Sequence, residues 1–389
     1  MKILILFADM IRQNRLSVLN NDKLYVSEFD NFIKSIGGTY YSNCFTMCPD
    51  TPRSLATLYS GLSPQDNGCD TAVKWPQYFM NDGIDNLFQM LFRKGYKIDF
   101  LSDPVERSCG IFPQFVIDNC NHNEKYSVKK FFKNLSIEEK HVIFACFPQF
   151  HWTLSAIGAS TYGEKQGFKN LTTALLEMQR YIALNDFDHV FLFSDHGYKL
   201  SYELKFNQAY TSLNEDRTNV LFLHKRKGTQ NLSINDSICS LTGFKSMMSD
   251  IVGAGSKSSE NISLPERRCI LIEDHLRFNV GVTDMIERWA LKTPTEYYIR
   301  DLDAGYLKSA SSKSFALKTV DKYDELLQDY QSFRNVAKIK NYRFLYSHML
   351  KQDYIEANDL YDVRQLKIPK VISFAYKVVD ILKKGLGIL

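Results

Sequence analysis

The chain opens on "KILILFA" (2–8), an unbroken apolar run that ends at Asp9. Four similar runs follow: "YKIDFLS" (96–102), "HVIFACF" (141–147), "HVFLFS" (189–194) and "NVLFLH" (219–224). Short continuous runs of this kind fit strands buried on both faces. Between them, apolar residues recur at helical spacing. "TPRSLATLYSG" (51–61), "GIDNLFQMLFRKG" (83–95), "FKNLTTALLEMQRYIALN" (168–185) and "INDSICSLTGF" (234–244) read as helices. Gly61 and Gly95 serve as stops, and an Asn/Asp cap opens the last. Strands alternating with helices predict a parallel sheet covered on both sides.

The pattern changes near residue 253. "GAGSKSSENISLPE" (253–266) reads as a loop. Beyond it, "RRCILIED", "RWALKTPTEYYIRDL" and "SFALKT" alternate apolar and polar positions, as antiparallel strands do. Segment 320–352 is charged and helical in pattern. The expected fold is α/β. A three-layer α/β sandwich with a mostly parallel central sheet fills residues 1–255, and a small C-terminal α+β subdomain fills 256–365. An amphipathic helix is expected over 366–389, with Lys370, Lys377, Lys383 and Lys384 beside a broad apolar face. Such a helix either packs on protein or makes peripheral contact with an anionic inner membrane face.

Composition narrows this picture only a little. With 389 residues, 44% hydrophobic and 24% charged, the chain can bury a large core. A net charge of +4 gives no basis for a nucleic-acid partner, which calls for a marked basic stripe. No run reaches the roughly 18 apolar residues of a membrane span. "MKILILFAD" suits a buried strand better than a leader, so a cytoplasmic location is expected. The eight cysteines show no CxxC pair and are expected to be reduced thiols. No Cys/His cluster has zinc-ligand spacing.

The candidate chemistry lies where strands end, since ligands of open α/β sheets bind beyond the carboxyl ends of the strands. The first strand ends at Asp9, with Arg12 close behind. "DTPRS" (50–54) follows the extended stretch "TYYSNCF". The strand at 141–147 runs into His151, and that at 189–194 into Ser194-Asp195-His196-Gly197. These loops bring two carboxylates, two imidazoles, a threonine hydroxyl and arginines to one sheet edge. A site for a metal ion and an anionic ester needs that set.

At these motifs the chain resembles the alkaline phosphatase/arylsulfatase superfamily, in its sulfatase-like branch. "ILILFADMIR" resembles the family's opening strand and "FTMCPDTPRSLATLYSGLSPQDNG" its nucleophile segment. "LFSDHGYKLSYE" resembles its second metal motif, and "NDLYDV" (358–363) its closing segment. The resemblance implies that Thr51 is a nucleophile at a helix N-terminus, where backbone dipoles favour an anion. It implies one divalent cation held by Asp9, Asp195, His196 and the Thr51 oxygen. Oxygen-rich ligation with one imidazole suits Mn²⁺, Mg²⁺ or Ca²⁺, and admits Zn²⁺. Arg53 and His151, with Lys199 or Lys205, would contact ester oxygens or protonate the leaving group.

Departures from the family's pattern shape the expectation. Phe147 stands where two-metal phosphatases place an Asp four residues before the histidine, so one metal is expected. Thr51 cannot mature to formylglycine, and Leu55 stands where sulfatases carry the arginine of their maturation motif. Met10 replaces the acidic residue that often follows the first Asp. The expected activity is hydrolysis or transfer of a phosphoester through a covalent Thr51 intermediate, on a surface-glycan or lipid-linked precursor. A sulfatase, or an inactive binding protein of the same fold, is the alternative.

Overall fold

A computed structural model describes residues 1–19, 27–69, 80–81, 83–102, 114–198, 213–254, 262–275, 287–301, 304–309, 311–312 and 316–332. Its centre is an eight-stranded sheet in the order β5-β4-β6-β1-β7-β8-β2-β9. The strands are β1 (Lys2–Ala8), β2 (Gly38–Tyr41), β4 (Lys97–Leu101), β5 (Asn121–His122), β6 (His141–Phe147), β7 (His189–Phe193), β8 (Phe222–Arg226) and β9 (Leu232–Asn235). All pairings are parallel except those of β8, which runs against both β7 and β2.

β1 lies in the middle, between β6 and β7, and its residues alternate between two cores. Ile3, Ile5 and Phe7 pack on one face, under the helices Thr51–Ser60, Leu87–Arg93 and Phe244–Ala254. Leu4, Leu6 and Ala8 pack on the other, under Glu28–Ile36, Gln149–Ile157 and Thr161–Gln179. This double burial explains the unbroken apolar runs. Aromatic rings fill much of the first core: Phe100 stacks on Phe144 at 4.4 Å, and Tyr59 meets Phe88 edge-on at 4.8 Å. The expected α/β sandwich with a mostly parallel sheet is therefore present.

The C-terminal strands form a separate antiparallel sheet in the order β11-β12-β13-β14-β15. They are β11 (Ile270–His275), β12 (Glu287–Lys292), β13 (Glu296–Asp301), β14 (Ala304–Ser309) and β15 (Ala316–Leu317). One face of this sheet packs Ile270, Ile272, Ala290, Tyr297 and Ile299 against Phe45, Leu213 and Ile238. The other packs Trp289 and Tyr298 against Leu327 of the helix Asp321–Ser332. Among the described residues, no helix is long and apolar enough to cross a membrane. The segments 358–363 and 366–389 and the side chains of Lys199 and Lys205 lie outside the described residues.

Three expectations need correction. Residues 234–244 are not a helix. β9 ends at Asn235, β10 (Cys239–Ser240) pairs with β3 (Cys44–Phe45), and a helical turn covers 241–243 before the helix Phe244–Ala254. Pairing with β2 and β3, distant in sequence, outweighs the local cap signal there. The strand expected over 219–224 begins at Phe222; Asn219 and Val220 instead bridge to Phe45 and Arg12. The helix expected at 168–185 runs from Thr161 to Gln179.

Candidate active site and metal centre

Asp9 follows β1, Thr51 opens the helix Thr51–Ser60, and Asp195 and His196 follow β7. Since β1 and β7 are adjacent and parallel, their carboxyl ends place both loops at one edge. Ligand atoms of Asp9, Asp195 and His196 lie within 4.8 Å of one another, and all three residues are buried. Thr51 Oγ1 lies 3.2 Å from His196 Nε2. His151, in the helix after β6, brings Nδ1 to 2.6 Å from Asp9 Oδ2. Five of the six expected site residues thus meet at one place.

The backbone fixes this arrangement. Met10 adopts a positive φ of 69°, unusual for a residue with a side chain, and its N–H donates to Asp195 Oδ1 at 3.1 Å. The His196 N–H donates to the same oxygen at 2.8 Å. Ser194 Oγ accepts from the Ile11 N–H at 2.8 Å and donates to the His196 carbonyl at 3.0 Å, which ties the loops after β1 and β7 together. Ser54 Oγ donates to the Asp195 carbonyl at 2.8 Å, joining the Thr51 helix to the same loop. Ser194 carries no motif of its own in the sequence; only its place beside Asp195-His196 pointed to it.

His196 Nδ1 lies 2.7 Å from the Gly197 carbonyl oxygen, so Nδ1 carries the proton. The Nε2 lone pair then faces Thr51 and Asp195 Oδ2, the latter at 3.4 Å. A backbone carbonyl on the far nitrogen is how metal-binding imidazoles are commonly held. Burial pushes the Asp195 carboxyl up to about 6; His196 pulls against this and the Asp9 charge adds to it. Burial acts on Asp9 in the same sense. His151 overcomes it through charge and hydrogen bond, and holds Asp9 below the ordinary carboxylate range.

Asp9 Oδ1 and Asp195 Oδ2 are buried and, among the described residues, have no hydrogen-bond donor within normal geometry. Two carboxylate oxygens without donors beside an imidazole lone pair form a donor set that fits a divalent cation. Arg53 is the sixth expected residue, and its guanidinium is turned into the protein. It is fully buried, and its Nε donates to Asp50 Oδ2 at 2.7 Å. Asp50 caps the helix by accepting from the Arg53 N–H at 3.3 Å.

No protein-family model and no curated protein matches the chain. Solved structures match over nearly the whole chain. A 2-O GAG sulfatase aligns with 95% of this chain and 96% of its own, at 13% identity and a TM-score of 0.57. The phosphonate monoester hydrolase of Silicibacter pomeroyi aligns with 93% of this chain and 96% of its own, at 9% identity and TM-score 0.53. The fold is that of the sulfatases and phosphonate monoester hydrolases. A third structure, solved with its substrate D-glucosamine-2-N,6-O-disulfate, aligns with 94% of this chain and 98% of its own, at 10% identity and TM-score 0.54. The resemblance to the sulfatase-like branch, first seen in four short motifs, extends at the level of fold to the whole architecture.

Proposed function

We propose that the protein is a metal-dependent hydrolase or transferase of anionic esters, with phosphoesters preferred, acting through Thr51. The observation that carries this reading is the 3.2 Å approach of Thr51 Oγ1 to His196 Nε2 at the edge of the Asp9–Asp195–His196 group. Asp9, Asp195 and His196 would hold the cation, and their donor types suit Mn²⁺, Mg²⁺ or Ca²⁺ and admit Zn²⁺. When bound, it lowers the pKa of a hydroxyl beside it and neutralises ester oxygens. Thr51 Oγ1 would attack the phosphorus and form the Thr51 O–P bond as its proton passes to solvent. The P–O bond to the alcohol breaks and the departing oxygen takes a proton from His151. Water or an acceptor alcohol then attacks the phosphorus, breaks the Thr51 O–P bond and leaves a proton on Thr51 Oγ1. His151, oriented by its Nδ1–H bond to Asp9, donates a hydrogen bond or a proton to the ester. Arg53 serves the site from behind, through Asp50.

The substrate class follows from the same residues. A threonine cannot supply the aldehyde hydrate of formylglycine sulfatases, so an ester cleaved by direct alkoxide attack is favoured. A glycan-linked or lipid-linked phosphoester suits the reading, given the sugar disulfate bound by one structural neighbour. The test is turnover of 4-nitrophenyl phosphate, a 4-nitrophenyl phosphodiester and 4-nitrophenyl sulfate by Mn²⁺-loaded protein, with mass spectrometry of the quenched enzyme. Phosphorylated Thr51 and loss of at least a thousandfold in kcat for Thr51→Ala are expected. Faster cleavage of the sulfate would turn the preference towards a sulfatase. Wild-type rates in Thr51→Ala would remove the covalent mechanism.

A further inference from the structure

Thr51 follows a loop that two distant parts of the chain hold in place. Arg53 donates to Asp50 from Nε and Nη2. Behind it stand two carboxylates of β11, both buried: Asp274 Oδ1 lies 3.7 Å from Nη2, and Glu273 Oε1 lies 3.9 Å from Nη1. The Glu273 N–H donates to the Met47 carbonyl at 2.8 Å. Arg217 reaches the same place: its Nη1 lies 3.5 Å from Asp274 Oδ2, and its Nη2 donates to the Pro49 carbonyl at 2.5 Å. The segment from Met47 to Arg53 is therefore gripped at Met47, Pro49, Asp50 and Arg53. Most of that grip comes from a sheet more than 200 residues further along the chain.

A hydroxyl attacks productively only from a narrow range of positions, and an error of about 1 Å can cost a hundredfold in rate. Local bonds hold Asp50, through the Arg53 and Ser54 amides, and Cys48, through the Thr46 hydroxyl. Met47 and Pro49 are held by Glu273 and Arg217, and the Arg53 side chain is backed by Glu273 and Asp274. We propose that Glu273 and Asp274 are positioning residues for Thr51, acting through Arg53 and the 47–50 loop. The proposal rests on the reading of Thr51 as nucleophile. It assigns the C-terminal sheet a part in the reaction, although Glu273 and Asp274 act only through Arg53 and the loop.

The full-length Glu273→Gln and Asp274→Asn variants keep shape and remove charge. Hydrogen exchange tests the clamp without substrate. The amides of Arg53 and Ser54 both bond to Asp50 and should exchange at least tenfold faster, with Leu171 and Leu175 unchanged. With 4-nitrophenyl phosphate, kcat should fall at least tenfold, while KM and Mn²⁺ affinity stay within twofold. The triple variant Arg53→Met/Glu273→Gln/Asp274→Asn removes the three buried charges together, and the partners they leave, Asp50 and Arg217, both keep some exposure to solvent. It should regain thermal stability but not kcat. Unchanged exchange at Arg53 and Ser54 overturns the proposal. So does equal acceleration at all four amides, which marks global loosening, and so does wild-type kcat in the triple variant. If the wild type cleaves neither phosphate nor sulfate probe, the ester reading fails, and the exchange result alone decides the clamp.

Discussion

A Cβ placed on Gly197 would lie 1.9 Å from the Asp216 carbonyl oxygen, and the Gly197 N–H donates to the Arg217 carbonyl at 2.9 Å. The residue after His196 must therefore be glycine, because another stretch of backbone runs against it. Gly197→Ala should destabilise the protein by about 1–3 kcal/mol, the usual range for overpacking. Urea unfolding measures the loss, and Mn²⁺ titration should show weakened binding as His196 is displaced. At this scale the sequence was informative wherever a motif is local. Asp9, Thr51, Asp195 and His196 could be named because each ends a strand or opens a helix. The orientation of Arg53 could not be read. Its partners Glu273 and Asp274 lie on a strand 220 residues away, and nothing near residue 53 announces them.

Among the elements, β7 and β8 carry a buried pair. His189 Nδ1 lies 2.9 Å from His224 Nε2, and the rings stack at 5.2 Å. Burial holds both imidazoles neutral. His189 falls to about 4, with Arg226 adding to the effect and Asp188 opposing it. His224 is pushed well below its ordinary value by burial and by His189. A histidine whose folded value is depressed takes up protons on unfolding, so stability is full above 6.5 and falls as pH drops from 6.5 towards 4. His189 alone should account for about 2 kcal/mol of lost stability between pH 7 and pH 5. Denaturant midpoints at the two pH values check this, and the double variant His189→Leu/His224→Phe should flatten the dependence. Element boundaries were less legible than element types. The helix Thr161–Gln179 begins seven residues before the expected start because Gly163 and Gly167 look like breaks in its first turns. A Cβ on Gly167 would come within 2.8 Å of the Phe150 ring. The glycine is there to let two helices approach, a reason that no local pattern carries.

For the molecule as a whole, the two buried carboxylates repel each other unless a cation stands between them. Removing the metal with EDTA should therefore lower the melting temperature. Free Mn²⁺ at a hundred times its dissociation constant should add about 2.7 kcal/mol. Asp195→Asn keeps an oxygen for the Met10 and His196 N–H donors and removes one charge. That variant should be at least as stable as the wild type in EDTA, and should gain nothing from Mn²⁺; differential scanning fluorimetry of both proteins reads both effects. A variant as responsive to Mn²⁺ as the wild type would place the ion elsewhere. At this scale the layered α/β plan was legible because parallel strands buried on both faces leave unbroken apolar runs. β2 was legible only as part of the extended stretch "TYYSNCF", and β5 and β9 escaped notice, since short edge strands with mixed composition leave no such run.

The central position of β1 has a consequence for synthesis. It is apolar on both faces and is made well before its two neighbours, which begin at His141 and His189. At about 5–20 residues per second, roughly ten to forty seconds pass before the second of them exists. Until β6 is made "KILILFA" lacks both hydrogen-bonding partners, and until β7 is made it lacks one. The emerging chain presents a sticky, strand-forming segment for that time, and chaperone capture of this strand is a natural point at which folding in the cell succeeds or fails.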